Sequence, residues 1–221
     1  MLKKIKISNQ ILRKITDEAY SASSVVLGKK IKNFDKKFFS LIKNKKNRSR
    51  VFECFNMLIA LNFANYEIYN KIKKKIKKNL IIWTYPQVRL DGSFSNKFLS
   101  PLHKDEWVLD KNKKGYVVWF PINSDGGSLL ISKNNKERKY KKDNYWGIKC
   151  TNEENLEEIK INYGEGLLFD KNILHKSKMN QNRITVQFRF EEINSNFSKK
   201  SVTQVIDSEV RKYWSSRLLN R

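Results

Sequence analysis

The sequence predicts an α+β fold, a double-sheet jelly roll under an N-terminal helical cover, and three observations predict it. Apolar residues recur at helical spacing up to about residue 79; beyond Leu80 they fall into short alternating runs; and Asp-Gly and Gly-Gly turn signals separate those runs. A chain of 221 residues is long enough for one structural domain with a real core. It divides into helices over 1–79, a jelly-roll core over 80–193 and a partly helical tail over 194–221. With 39% hydrophobic and 12% aromatic residues, it can fill a core despite 31% charged residues, which excludes wholesale disorder.

The first helix is expected from Ile11 to Gly28, where Ile11, Leu12, Ile15, Ala19, Ala22 and Val26 share a face and Gly28 terminates it. A second is expected over Phe34 to Ile42, with Asn33 as its cap. The basic run from Lys43 to Arg48 then separates it from a third helix over about Arg50 to Asn79. That helix begins with the apolar residues Val51, Phe52, Phe55, Leu58, Ile59 and Ala60 and ends in the alternation Ile68, Ile72, Ile76; its apolar stripe should face the core, and the lysines from Lys71 to Lys78 read as a solvated face opposite it.

Strands follow. Leu80 to Leu90 reads as extended, with a turn at Asp91-Gly92-Ser93. Pro101 to Val108, Gly115 to Pro121, Ser128 to Ile131 (after the tight turn Asp125-Gly126-Gly127), Ile159 to Ile161 and Gly166 to Phe169 (after Tyr163-Gly164) continue the pattern. The polar stretch Lys133 to Glu158 reads as a lid or a partly ordered segment, and Val202 to Leu219 as an amphipathic helix. The last strand, Arg183 to Glu191, alternates throughout: Arg183, Thr185, Gln187 and Arg189 face one way, Ile184, Val186, Phe188 and Phe190 the other.

The formal net charge is +24, but the lysines are spread along the whole chain among many asparagines and isoleucines, so the charge reads as compositional rather than as one basic patch. Cys54 and Cys150 are isolated and lack metal or disulfide-framework spacing. The N-terminus has no apolar run of signal-peptide type, and no stretch approaches a membrane span, so a cytoplasmic location is expected.

The chain has two histidines, and both enter one pattern. His103 is followed two positions later by Asp105, and on a strand a period of two would put both side chains on one face. With His175 they make two imidazoles and one carboxylate. That donor set leaves positions open on a metal and is the facial triad of non-heme Fe(II) oxygenases. Arg183, shortly after His175, opens the alternating strand with Thr185 beside it, so that both can address one anion.

The sequence resembles the Fe(II)/2-oxoglutarate-dependent dioxygenases over about Ile82 to Phe190. The resemblance lies in Pro86-Gln87-Val88-Arg89-Leu90, Pro101-Leu102-His103-Lys104-Asp105-Glu106-Trp107, Val117-Val118-Trp119-Phe120-Pro121-Ile122, Tyr163-Gly164-Glu165-Gly166-Leu167-Leu168-Phe169 and the strand from Asn182 to Phe190. It is nearest to the phytanoyl-CoA-hydroxylase-like superfamily, and within it to the oxygenases of bacterial carbohydrate clusters, similar to a streptomycin-cluster oxygenase. The Gly-Ser-His stretch found in many phytanoyl-CoA-type enzymes is replaced by Gly127-Ser128-Leu129-Leu130, which points away from the lipid-CoA hydroxylases.

The resemblance implies a double-stranded β-helix, Fe(II) held by His103, Asp105 and His175, and 2-oxoglutarate as cosubstrate with O2. It implies a carboxylate anchor at Arg183 aided by Thr185, with Arg189 on the same face as the competing anchor. Gln87 and Arg89 are candidates for cosubstrate or substrate contact, and Tyr85, Trp107 and Trp119 for the pocket. The implied substrate is a small polar molecule, a sugar or sugar nucleotide, oxidised in surface-glycan or natural-product assembly.

Two other readings stand beside this one. The Arg183-x5-Arg189 spacing resembles the AlkB-type nucleic-acid demethylases, although the short gap from His175 to Arg183 departs from that group. A metal-free jelly-roll binding protein would make the His103-x-Asp105 pattern incidental.

Overall fold

The computed structural model describes residues 1–60, 64–78, 80–82, 87–91, 102–105, 114–123, 125–132, 140–143, 147–150, 156–178 and 182–192. In chain order the elements are β1 (Leu2–Lys6), α1 (Asn9–Leu27), α2 (Lys36–Leu41), α3 (Lys45–Ala60), α4 (Ala64–Ile76), β2 (Leu80–Ile82), β3 (Gln87–Asp91), β4 (Gly115–Pro121), β5 (Gly127–Ser132), β6 (Tyr140–Asp143), β7 (Gly147–Cys150), β8 (Leu156–Ile161), β9 (Glu165–Asp170), β10 (His175–Ser177) and β11 (Arg183–Glu192).

Capping side chains set the helix boundaries. The Ser8 hydroxyl accepts the Ile11 N–H at 3.3 Å to start α1. Gly28 ends it at φ +61°, with its N–H donating to the Val25 carbonyl and that of Lys29 to the Ser24 carbonyl. The start of α2 is capped by Asp35, not Asn33: the Asp35 carboxylate accepts the Phe38 N–H at 2.9 Å. The basic run expected to separate helices instead opens α3, because the Asn44 side chain accepts the N–H groups of Lys46 and Asn47 at 2.9 and 3.2 Å. Within the single long helix expected over 50–79, the described residues form α3 and α4, and residues 61–63 between them lie outside the described residues. On α4, Ile68 and Ile72 are buried while Lys74, Lys75, Lys77 and Lys78 beyond them are exposed, as expected of a solvated lysine face.

All pairings in the sheets are antiparallel. The larger sheet has the order β1-β9-β4-β11-β2, and β3 also pairs with β11; the second sheet is β10-β5-β8; β6 and β7 pair with each other within the polar stretch expected to be a lid. β1 was not expected. Four of its five residues are exposed or carry lysine, and only Ile5 is buried, so its place is set by pairing with β9 far along the chain.

The larger sheet separates two apolar clusters. On one face Ile184, Val186, Phe188, Phe190, Val118 and Phe120 pack with helical residues such as Leu12, Ile15, Phe38, Phe55 and Ile59. On the other, Val117, Trp119, Leu167 and Phe169 meet Leu129, Ile131 and Ile161 of the second sheet. Helices thus pack on one face of the larger sheet, and the second sheet packs on the other. Helix α3 also grips β3, since the Asn56 side chain accepts the Val88 N–H at 2.8 Å and donates to the Phe52 carbonyl at 3.0 Å. Among the described residues no helix is long and apolar enough to cross a membrane. The predicted tail helix over 202–219 lies outside the described residues.

Candidate metal centre

His103, Asp105 and His175 converge. One donor atom from each lies within 4.8 Å of the other two, and this is the one such group of His, Cys, Asp or Glu among the described residues. The backbone that brings them together differs from the expected strand. His103 and His175 face each other across an isolated antiparallel bridge, each N–H donating to the other's carbonyl at 2.9 Å, and their ring centroids are 4.4 Å apart. After that bridge the chain enters a helical turn at Asp105. The bridge and turn, rather than a period of two along a strand, place Asp105 beside His175.

His175 is seated on β10, which pairs with β5, and its ring meets Phe169 edge-on at 4.9 Å. Its Nδ1 lies 2.9 Å from the Ile173 carbonyl. A carbonyl only accepts, so Nδ1 carries the hydrogen and Nε2 keeps its lone pair. That Nε2 sits 3.6 Å from Asp105 Oδ2. Burial pushes the His175 pKa below its ordinary value, even though Asp105 pulls the other way, so the imidazole is neutral at pH 7. A neutral imidazole nitrogen and a carboxylate oxygen aimed at each other repel unless something positive lies between them. Atoms bound to a shared ion at about 2.1 Å sit about 3 to 4 Å apart, so the pair fits a cation.

Asp105 is fully buried at 0% exposure, and two residues of β11 hold it. Arg189 Nε donates to Oδ1 at 2.8 Å and Arg189 Nη2 lies 2.6 Å from the same oxygen, while Gln187 Nε2 is 3.3 Å from Oδ1 and 3.1 Å from Oδ2. Burial pushes the Asp105 pKa up, but Arg189, His175 and His103 together overcome it and hold the carboxyl below its usual range. Oδ1 is therefore occupied by Arg189, and Oδ2 points toward His175. Such outer partners fix a ligand's orientation. Arg189, expected as a competing cosubstrate anchor, is engaged here with the carboxylate of the triad. Gln187 was missed as a site residue, although the alternation of β11 puts it on the same face.

Arg183 is completely buried. Its Nε donates to Asp91 Oδ2 at 2.8 Å, its Nη1 donates to the Ser128 carbonyl, and the guanidinium lies 5.6 Å over the Trp119 ring. Asp91, expected in a turn, is instead the last residue of β3, buried and directly opposite Arg183 in the register. Gly127 leaves room for this stack, because a Cβ there would come 3.1 Å from Trp119 and 3.5 Å from Arg183. Trp119 is core between the sheets as well as the floor under Arg183.

Thr185 is buried, and its hydroxyl has no hydrogen-bond partner among the described residues. It lies two residues, about 7 Å along the strand, from Gln187 at the triad. That is the span of a five-carbon diacid. On β3, half-buried Gln87 and Arg89 stand opposite Gln187 and Thr185 respectively. Tyr85 and Trp107 lie outside the described residues.

No protein-family profile and no curated protein sequence matches the chain. Among solved structures it is similar to HygX from Streptomyces hygroscopicus with nickel and 2-oxoglutarate bound, at TM-score 0.46 and 12% identity over 87% of this chain and 83% of that one. It is similar to the non-heme monooxygenase ThoJ in its nickel complex, at TM-score 0.52 and 10% identity over 97% of this chain and 93% of that one. Apo ThoJ aligns at the same TM-score and identity over 99% and 96%. The likeness to ThoJ shows that this chain has the fold of a non-heme monooxygenase.

Proposed function

We propose that the chain is an Fe(II)/2-oxoglutarate-dependent dioxygenase on a double-stranded β-helix, with its helical cover and sheets forming one structural unit. We assign its substrate to the carbohydrate-derived small polar metabolites, oxidised, most simply by hydroxylation, in surface-glycan or natural-product assembly. The observation that carries this reading is the convergence of His103, Asp105 and His175, with donor atoms within 4.8 Å of one another. Two imidazoles and one carboxylate leave coordination positions open for a keto acid and dioxygen. The fold shared with ThoJ, which has been described with nickel, supports it.

Bound there, Fe(II) supplies oxidation of a substrate C–H bond by dioxygen, coupled to decarboxylation of 2-oxoglutarate to succinate. The chain's own residues orient and shield. Arg189 and Gln187 hold Asp105, so that its Oδ2, on the His175 side, would be the oxygen offered to the ion. The Ile173 carbonyl holds the hydrogen on His175 Nδ1 and so presents Nε2. Leu129, Ile131, Leu167 and Phe169 form the apolar surroundings that exclude water. Thr185, whose buried hydroxyl lacks a partner among the described residues, would be available to the distal carboxylate of the cosubstrate.

The test is succinate formation from 2-oxoglutarate by the Fe(II)-loaded chain against a panel of sugars and sugar nucleotides. One or more of them is expected to stimulate turnover, and His103→Ala is expected to abolish it. No stimulation by any carbohydrate would contradict the substrate class. Stimulation by single-stranded DNA instead would favour a nucleic-acid demethylase.

A further inference from the structure

His175 is delivered to the triad by the turn over 171–174, and both ends of that turn are tied. At its exit the Ser132 N–H donates to the Leu174 carbonyl at 2.9 Å, and Leu174 is fully buried. At its entry the Lys171 N–H donates to the Gly115 carbonyl at 2.9 Å, and Lys171 Nζ lies 3.6 Å from Glu191 Oε1 on β11. Between these ties the Ile173 N–H donates to the Asp170 carbonyl at 3.0 Å, while the Ile173 carbonyl accepts from His175 Nδ1 at 2.9 Å.

Gly115 makes the entry tie possible. It stands directly opposite Glu191 in the register of β4 and β11, and on its other side Lys171 follows the paired Asp170 and Tyr116. The lysine side chain crosses the glycine to reach the carboxylate. A Cβ at position 115 would come 2.7 Å from Lys171 Cδ and 3.0 Å from the Phe190 carbonyl oxygen. The φ of Gly115 is not positive, so the position needs the room a glycine leaves and not its backbone freedom.

Lys171 and Glu191 are both buried. A buried ion pair is a weak source of stability, because apolar side chains of similar volume do as well; what it adds is direction. The neighbouring row of the sheet carries Phe169, Val117 and Arg189 side by side. Phe169 meets the His175 ring edge-on at 4.9 Å, and Arg189 holds Asp105. The ion pair therefore borders the row that touches two of the three triad residues.

We infer that Lys171 and Glu191, with Gly115 between them, are positioning residues for the metal centre. They lock the entry of the turn, so that the Ile173 carbonyl stays on His175 Nδ1 and Nε2 stays turned toward the ion. This rests on the reading of the triad as a metal centre. Partners that orient a ligand are worth about 10- to 100-fold in metal affinity, and a pair acting through the turn belongs at the lower end.

The experiment is Co(II) titration of the full chain, followed by the visible absorption of the bound ion, beside thermal unfolding of the metal-free form. The double variant Lys171→Met, Glu191→Met keeps an unbranched side chain over Gly115 and removes both charges together, so that neither is left buried alone. It is expected to unfold no earlier than the parent, to bind Co(II) roughly 10-fold more weakly and to change the Co(II) spectrum. Gly115→Ala, which obstructs the crossing, is expected to weaken Co(II) as well, and Lys171→Arg, which keeps a cation, to bind it more tightly than the double variant. Parent-like affinity and spectrum in the folded double variant would overturn the assignment. So would an equal loss of affinity in Phe188→Ala, a destabilising change on the opposite face of β11. If the double variant does not fold, parent-like affinity in Gly115→Ala overturns it instead. A parent that takes up no Co(II) overturns the metal-centre reading, not this assignment alone.

Discussion

The two faces of β11 are made by alternate residues of one strand and behave as different materials. Ile184, Val186, Phe188 and Phe190 are buried against the helices in the larger apolar cluster. Arg183, Thr185, Gln187 and Arg189 are equally buried but polar, and three of the four hold a carboxylate. The first face gains stability from area removed from water. The second places charge in a low-dielectric interior, which is tolerable only because each charge meets a partner. A strand that can afford such a face signals a site, because packing alone would fill it with apolar side chains.

Substitutions on either face should therefore separate function from stability, and the largest effect is expected at the carboxylate. Asp105→Ala is predicted to abolish metal binding and turnover. It also leaves the buried Arg189 without its counter-charge, at about 3–5 kcal/mol in stability. Metal analysis and thermal unfolding of the same preparation check both. On the opposite face Phe188→Ala removes a fully buried ring and should cost about 3–5 kcal/mol. Metal bound per folded molecule should not change. Loss of metal from folded Phe188→Ala would break the distinction between the faces.

Acid should act on the polar face. His175 is held below its ordinary pKa by burial, so below pH about 6.5 the unfolded chain takes up a proton that the folded chain refuses. Stability of the metal-free protein should therefore fall as pH drops from 7 toward 5. His175→Asn should flatten that slope in denaturant titrations. Asp105, whose carboxyl is also held low, contributes stability that is lost only in stronger acid, as the pH falls below about 4. The smallest effect is expected at Thr185. Replacing its buried, unpartnered hydroxyl by Thr185→Val should raise the stability of the metal-free chain by about 1 kcal/mol. A loss of stability instead would mean that the hydroxyl serves the fold.

The alternation that makes β11 a two-faced strand is local, and so it was legible in the sequence. The same holds for the Gly28 terminator and for the histidine pattern, which used both histidines of the chain. Contacts between distant segments were not legible. Neither Asp91 nor Arg189 carries a local sign that its partner is Arg183 or Asp105, and Asp91-Gly92-Ser93 has the composition of a turn. The pairing of β1 with β9 is similarly invisible in a lysine-rich pentapeptide with one buried residue. The His103-x-Asp105 spacing predicted convergence by strand periodicity, and the convergence comes from a bridge and a turn. The helix start at Lys45 was missed because the Asn44 cap outweighs the unfavourable run of lysines that follows it.

The central claim is that His103, Asp105 and His175 hold one ion together. Anaerobic equilibrium titration of Fe(II) into the parent and His103→Ala tests it most directly. The account predicts one ion per chain in the parent and its loss in the variant, with the fold intact by circular dichroism. Fe(II) binding by His103→Ala equal to that of the parent would contradict it.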